Sequence, residues 1–480
     1  MKSKRIGALL GLSFGALFVH GYHPWAEDAE IYLPGVEKIV HPGLFPSYPE
    51  FFQFHSQLTL FPNLIAASGW ITSLPLEWVL FLWQLVSVFL LLLACWQLSG
   101  YCFVDDKARW AAMALIAALL TLPVAGTALY IMDQYLNPRN LTASLGVFAI
   151  ARVLDRKYAW AGCFLGLAAL LHPLMAWFSL SYCIALALTR KGLQFSTAVI
   201  LFPLGLSLTP PSRGYHQAAL LHSFHYLTRW QWYEWVGAVA PLVILWWFSL
   251  LTRKSGNPTV DLVSRVLLLY GTFYFAAGLI LSIPARFEGL ARIQPMRSLH
   301  LLYILFLILG GGLVGEYMLK DRWWRWLILF TPICAGMVVS QRALFPGSPH
   351  IEWPGVSPKN QWVQAFVWVQ RNTPEDAIFA LDPYYLEISG EDHNGFRAVA
   401  QRSRLADVIK DSGAVSMFPQ LADEWLMQTQ DQKNWKSFQL NDFEFLRQKY
   451  GVNWVILQSP GTPGLQCPFH NQAVMVCQLN

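Results

Sequence analysis

A succession of apolar runs, each long or nearly long enough to cross a bilayer, constrains this chain more than any other feature. In hydrocarbon every backbone N–H and C=O must be satisfied within its own segment, so such runs form helices of about 20 residues. They fall at 6–20, 76–98, 109–124, 139–154, 158–172, 174–189, 194–208, 236–252, 264–282, 299–318 and 324–341. The pattern predicts an α-helical polytopic membrane protein with about eleven transmembrane helices. Composition agrees, because only 13% of the residues are charged, against about 25% in a soluble domain. The 22 Trp and 18 Tyr suit a chain that crosses many membrane–water interfaces.

Basic residues decide the orientation. Lys2, Lys4 and Arg5 precede the first run, and Lys107 with Arg109 follow the second. Arg152, Arg156 and Lys157 come next, then Arg190 with Lys191, Arg253 with Lys254, and Lys320 with Arg322 and Arg325. These clusters occupy every second connection, the positive-inside pattern. It predicts a multi-pass protein of the plasma (inner) membrane with a cytoplasmic N-terminus and an extracytoplasmic C-terminal domain. A nucleic-acid-binding stripe would gather its charge on one soluble face, which excludes that class. The first run has the basic start of a secretory signal, but no small-x-small cleavage site precedes Gly21, so it is expected to stay as an anchor.

Two domains follow. Residues 1–344 form the transmembrane domain, with outer loops at 21–75, 209–235 and 283–299, and residues 345–480 form an extracytoplasmic α/β domain. In the first loop, Ile31, Val36, Ile39 and Val40 predict a short amphipathic helix, with Pro34, Pro42, Pro46 and Pro49 breaking anything longer. In the C-terminal domain, helices are expected at 361–371, 421–427 and 442–449, and strands at 377–381, 396–400, 452–458 and 473–479. Cys467 and Cys477 lie where the compartment permits a disulfide, although sequence does not establish one. Cys95, Cys102, Cys163, Cys183 and Cys334 read as inert packing residues in or beside spans.

The candidate chemistry is carried by acids and arginines outside the spans. Glu27, Asp28 and Glu30 follow the first run directly. A carboxylate at a cavity mouth beside the membrane can take a proton from an acceptor hydroxyl or amine; equally, such acids favour a solvated helix N-terminus. Arg139, Arg213, Arg229, Arg286, Arg292 and Arg297 stand in outer loops against the positive-inside bias. Arg292 and Arg297 flank Gln294 and Pro295 at the entry to a late span, a sensible place to hold a lipid phosphate with planar guanidinium forks. They could instead snorkel, or pair with Glu288. Asp133 and Arg139 stand six residues apart and could pair with each other across the Asn137–Pro138 turn, and His172 sits where one run turns into the next. His216, His222 and His225 would need a further ligand to hold a metal. No Walker loop, dinucleotide glycine fingerprint or HExxH is present.

A short first span, an acidic pair in a long outer loop, many further spans and an outer α/β domain together resemble the integral membrane glycosyltransferases of the C fold class (GT-C). The segments MDQYLNPRNLTAS at 132–144, QPMRSLHLLY at 294–303, WVQRNTPEDAIFALDP at 368–383 and FRAVAQRSRLADVIKD at 396–411 are similar to loops, span entries and the C-terminal domain opening of uncharacterised bacterial relatives. The resemblance implies a polyprenyl-phosphate-linked sugar as donor and an acceptor at the outer membrane face. By position it makes Asp28 the catalytic base with Glu27 its alternate, Glu30 a group that orients the acceptor or a divalent metal, and Asp133, Arg139, His172, Arg292, Gln294 and Arg297 substrate-binding residues. Glu27-Asp28 stands where several families have Asp-Asp or Asp-Glu, so the choice between the two acids stays open. Two other readings remain: a transporter or lipid flippase, disfavoured because no internal repeat is visible, and a non-catalytic scaffold whose outer domain binds a partner.

Overall fold

The computed structural model describes residues 2–191, 212–282, 290 and 293–479. They form two compact units, a helical one built from 1–21, 82–210 and 223–340, and an α/β one built from 22–81, 211–222 and 341–480.

The helical unit contains Lys2–His20, Asp106–Ala118, Pro138–Leu154, Tyr158–Leu171, Pro173–Arg190, Trp232–Ser255, Pro258–Ser282 and Leu299–Val314, with most of Leu76–Cys102 and Trp323–Leu344. Every expected span thus coincides with a helix except 194–208, which lies outside the described residues. Fewer of them are long enough to cross. Among the described residues six helices have the length and apolarity to span a membrane: Leu76–Cys102, Pro173–Arg190, Trp232–Lys254, Pro258–Ser282, Pro295–Leu319 and Trp323–Leu344. Asp106–Ala118 has only 13 residues, which at 1.5 Å per residue reaches about 20 Å of the roughly 30 Å hydrocarbon core.

Small residues let these helices meet backbone to backbone. A Cβ added at Gly311 would come within 2.7 Å of the Ala112 Cα, and one at Gly315 within 2.6 Å of the Ala111 Cβ. The Gly311–Gly315 spacing therefore sets the contact of Leu299–Val314 with Asp106–Ala118, as small-xxx-small pairs do where lipid supplies no hydrophobic drive. Polar side chains add anchors: His20 joins Thr121 Oγ1 through Nδ1 at 2.7 Å and the Ala117 carbonyl through Nε2 at 2.8 Å.

The α/β unit is organised on a five-stranded sheet of β1 (Ile378–Leu381), β2 (Ser403–Arg404), β3 (Trp454–Gln458), β4 (Gln466–His470) and β5 (Val474–Gln478), in the order β2-β1-β3-β5-β4. β1 lies parallel to β2 and β3, whereas β5 is antiparallel to β3 and β4. Alternation along the strands feeds two cores. Phe379, Leu381, Trp454 and Ile456 pack with Phe366 and Phe396 on one face, and Ala380, Val455 and Leu457 pack with Phe443 and Leu446 on the other. Cys467 on β4 and Cys477 on β5 form a disulfide.

Three local expectations need correction. Residues Phe396–Ala400 form a short helix rather than a strand, because Phe396 and Val399, three apart, both face the core. The Ala29–Val40 helix runs through Pro34 without ending, and two further helices, Glu50–Leu58 and Phe61–Thr72, occupy a loop that looked irregular. Finally, residues 22–81 and 211–222 belong to the compact α/β unit rather than to loops of the helical one. The physical reason is the polar site described next.

Candidate functional site

The site begins with the turn that carries the acids. Residues 25–27 lie against 393–395: Glu27 N donates to the His393 carbonyl at 2.7 Å, and Gly395 N donates to the Trp25 carbonyl at 2.7 Å. Gly395 permits this approach, since a Cβ there would meet Glu30 Oε2 at 2.8 Å and the Glu30 Cα at 3.0 Å. Glu27 itself adopts φ 54°, the left-handed region, which costs a non-glycine residue about 1–3 kcal/mol and persists only where surrounding contacts enforce it.

Those contacts are ionic. Lys410 Nζ donates to both acids, to a carboxylate oxygen of Glu27 and to Asp28 Oδ1 at 3.0 Å. His393 Nδ1 lies 2.9 Å from Glu27 Oε1. All four groups retain access to water, with side-chain exposures of 33% for Glu27, 25% for Asp28, 15% for Lys410 and 38% for His393. Burial by itself would raise the Glu27 carboxyl, but the Lys410 charge and the His393 hydrogen bond outweigh it and hold the carboxyl at about 2. Burial likewise opposes the Lys410 ammonium, which Asp28 and Glu27 keep charged well above the ordinary lysine value. The hydrogen bond to Glu27 raises His393. Glu27 is therefore a permanent anion and a weak base.

A buried network fixes Lys410 in place. Glu30 is fully buried, with Oε2 accepting from the Arg397 backbone N at 2.7 Å and Oε1 from Arg397 Nη1 at 3.2 Å and Arg404 Nε at 2.8 Å. Arg397 grips Asp411 with both terminal nitrogens, at 2.9 and 3.0 Å, while Arg404 Nη2 pairs with Asp407. Asp407 Oδ1 in turn accepts from the backbone N of Ile409 at 2.6 Å and of Lys410 at 2.5 Å. The Ala29–Val40 helix, Phe396–Ala400 and the start of Lys410–Met417 are thereby locked together around three carboxylates and two guanidiniums. Burial raises the Glu30 carboxyl despite Arg404 and Arg397. Burial opposes the Asp411 anion too, yet Arg397 and Arg404 more than compensate and lower that carboxyl.

This placement revises the expectation for Glu30. Its oxygens are spent on Arg397 and Arg404 out of reach of solvent, so it supports the site rather than orienting an acceptor or a metal. Among the described residues no group of three or more His, Cys, Asp or Glu side chains could hold a metal ion. Lys410 supplies the positive charge between Glu27 and Asp28. His222 Nε2 is 2.9 Å from Ser412 Oγ, a hydrogen-bonding role in the same unit.

The remaining candidates lie in the helical unit. Asp133 and Arg139 pair at 3.2 Å, both nearly buried. Asn137 donates to the same carboxylate, Asn140 Oδ1 accepts from Asp133 N at 3.3 Å, and Gln84 Nε2 donates to the Asp133 carbonyl at 2.8 Å. Asn137 also caps Pro138–Leu154, so this cluster closes a turn and starts a helix. His172 similarly caps Pro173–Arg190, with Nδ1 accepting from Met175 N at 3.4 Å. Gln294 is buried in the left-handed region at φ 50°, directly before the turn Pro295–Ser298. Arg297 is half-buried and stacks its guanidinium over the Phe224 ring at 4.5 Å. Arg292 lies outside the described residues.

Sequence reading missed Lys410, His393, Arg397, Arg404, Asp407 and Asp411. The available signal was the density of alternating charge in FRAVAQRSRLADVIKD, which is unusual for a stretch that ends up buried. Nothing in the sequence pairs it with residues more than 360 positions earlier.

Comparison with solved structures finds a similar overall fold. Over 94% of its length the chain superposes on the Archaeoglobus fulgidus oligosaccharyltransferase tethered to an acceptor peptide containing the NVT sequon, with a TM-score of 0.50, 15% identity and 69% of that chain covered. The fold is GT-C-like. The apo form of the same enzyme matches at a TM-score of 0.48 and 13% identity over 94% of this chain and 69% of its own. The archaeal oligosaccharyltransferase AglB from that organism, in complex with an inhibitory peptide and a dolichol-phosphate, gives 0.45 and 14% over 95% and 70%. No family model matches, and no curated protein does. At these identities the comparison speaks for the fold alone: a helical membrane domain joined to a small α/β domain.

Proposed function

We propose that this chain is a membrane glycosyltransferase that moves a sugar from a polyprenyl-phosphate donor to an acceptor at the outer face of the plasma membrane. The observation that carries the reading is the Glu27–Asp28 pair, held partly open to water by the Lys410 cation and a strained turn. A merely structural ion pair gains nothing from backbone strain, whereas a site that must present a carboxylate to a substrate does. Asp28 takes the role of base: it accepts the acceptor's proton as the acceptor attacks the anomeric carbon. Glu27, depressed to about 2, stays ionised and holds Lys410 and His393. In the helical unit, Arg297 and Arg292 carry guanidiniums suited to a lipid phosphate, and Arg139, committed to Asp133, shapes its loop. Direct displacement inverts the anomeric configuration. About eleven spans, a cytoplasmic N-terminus and an extracytoplasmic α/β unit complete the reading, supported by the alternation of basic clusters.

The test uses full-length protein in nanodiscs, or cells expressing it, given a radiolabelled polyprenyl-phosphate hexose. Release of polyprenyl phosphate and labelling of envelope acceptors are followed. Asp28→Asn is expected to lower transfer by about 10²–10⁴-fold, the usual contribution of a positioned base, at unchanged expression, with Arg297→Ala also impaired. Transfer by Asp28→Asn at the parent rate would sink the assignment. Absence of donor turnover in the parent protein under all acceptor conditions would sink the function itself.

A further inference from the structure

Between Glu50 and Glu77 the chain holds no Asp, Glu, Lys or Arg. This stretch belongs to the α/β unit and folds into the helices Glu50–Leu58 and Phe61–Thr72. Phe61–Thr72 turns Phe61, Pro62, Ile65 and Ala66 inward. Its other side carries Trp70 and Ile71, 60% and 84% exposed, and Leu74 is exposed just past the left-handed cap at Ser73. Leu58 and Leu60, at the start of the helix, are exposed as well. Scattered exposed apolar residues are ordinary, but a group of them with no charge nearby marks an interaction surface.

Chain continuity identifies what covers it. Only Pro75 separates Leu74 from Leu76–Cys102, a helix with the length and apolarity to cross a membrane. The chain from Thr72 to Leu76 reaches at most about 14 Å, so the end of Phe61–Thr72 stays close to the start of that span. Along the span Trp78, Leu82 and Val86 are exposed, and their spacing of four puts them on one face, towards lipid. The exposed apolar side of Phe61–Thr72 therefore leads by way of Leu74 into a surface that acyl chains already cover. Its chemistry agrees. Indoles favour the membrane–water interface, charges are costly below it, and the exposed neighbours Asn63, Thr72 and Ser73 are all uncharged. A face for another protein normally has a polar rim that includes charges. We propose that the 58–74 side of the α/β unit is a lipid-docking surface. Phe61–Thr72 lies in the interface of the leaflet where Leu76–Cys102 begins, with Trp70 at headgroup depth and Ile71 and Leu74 among the acyl chains. The Ala29–Val40 helix packs on Phe61–Thr72, and the Tyr32 and Phe61 rings meet edge-on at 6.1 Å. Docking thus fixes the height of the acid-bearing turn above the lipid. The proposal does not require the transfer reading.

The test places a nitroxide on the full-length protein in phospholipid nanodiscs. Cys163 and Cys334, the free cysteines that are not buried, are changed to serine, and a single label site is introduced by Ile71→Cys or, separately, by Leu74→Cys. Val339→Cys on Trp323–Leu344 and Arg371→Cys on Gln361–Asn372, both at exposed positions, are the lipid and water references. Power-saturation EPR compares collisions with oxygen, which concentrates in lipid, and with a neutral nickel chelate, which stays in water. Labels at 71 and 74 are expected to match the label at 339, with oxygen accessibility above nickel accessibility, and the label at 371 to show the reverse order. Nickel accessibility at 71 and 74 equal to that at 371 makes the surface water-facing and overturns the proposal. Low accessibility to both reagents also overturns it, since the occupant is then protein, such as a second copy of the chain.

Discussion

Removing charge from the buried network is expected to cost unequal amounts depending on which sign is removed. Glu30, Asp407 and Asp411 face Arg397 and Arg404, so three carboxylates meet two guanidiniums in a space that is 0–2% exposed. Fully ionised, the cluster carries one uncompensated negative charge, consistent with the raised Glu30 carboxyl. Arg397→Met leaves three acids with one guanidinium, and breaking a buried pair from one side costs about 3–5 kcal/mol. Glu30→Gln instead neutralises the excess. Its carbonyl still accepts from Arg404 and Arg397, but its amide NH2 now faces one donor, so the loss is confined to about 1–3 kcal/mol. The assay is hydrogen exchange of backbone amides in Ala29–Val40, Phe396–Ala400 and Lys410–Met417, with the whole chain in nanodiscs, because a multidomain membrane protein does not unfold in one step. Protection is expected to fall about 10²–10³-fold or more for Arg397→Met and clearly less for Glu30→Gln. Equal losses, or a larger one for Glu30→Gln, would refute the charge count on which the argument rests.

Two further outcomes are expected. His23 Nδ1 lies 2.8 Å from Glu352 Oε1; burial lowers His23 from 6.5 to about 3 and raises Glu352 from 4.5 to about 8. Stability is lost as pH rises through the Glu352 window and as pH falls through the His23 window, and the two slopes cancel where the windows overlap. Hydrogen exchange around residues 22–26 and 350–352 should show a plateau between about pH 4.5 and 6.5, with about 2 kcal/mol lost by pH 8 and a similar amount by pH 3. Persistence of the alkaline loss in Glu352→Gln would rule this pair out as its source. The Cys467–Cys477 bond closes a sequence separation of 10, worth about 2.7 kcal/mol by loop entropy. It should be present in cells and shield both thiols from alkylation until reduction; free thiols in intact cells would contradict an extracytoplasmic α/β unit.

The apolar, helical character of most of the chain and the positions of the helices were legible in the sequence because they depend on local quantities. Apolar run length, basic clusters and strand alternation are each read from residues near one another, and ten of the eleven expected spans coincide with helices of the structure. The short helices Asp106–Ala118 and Tyr158–Leu171 were legible as apolar but not in their lengths of 13 and 14 residues. The acids at 27, 28 and 30 were legible as candidates, but not their different fates. Glu30 looks like its neighbours in sequence, and only the fold buries it.

Tertiary structure decided the rest. Whether a carboxylate is a solvated base, a permanent anion or a buried strut depends on which cations stand beside it, and here Lys410, Arg397 and Arg404 come from more than 360 residues away. Loop-closing contacts of that range leave no periodic trace in the chain. The same holds for the 22–81 stretch, which belongs to the α/β unit and whose Ala29–Val40 helix is tied there through the buried Glu30 ion pairs. Sequence fixes how much apolar length must be hidden from water; only packing determines which charges must be hidden together.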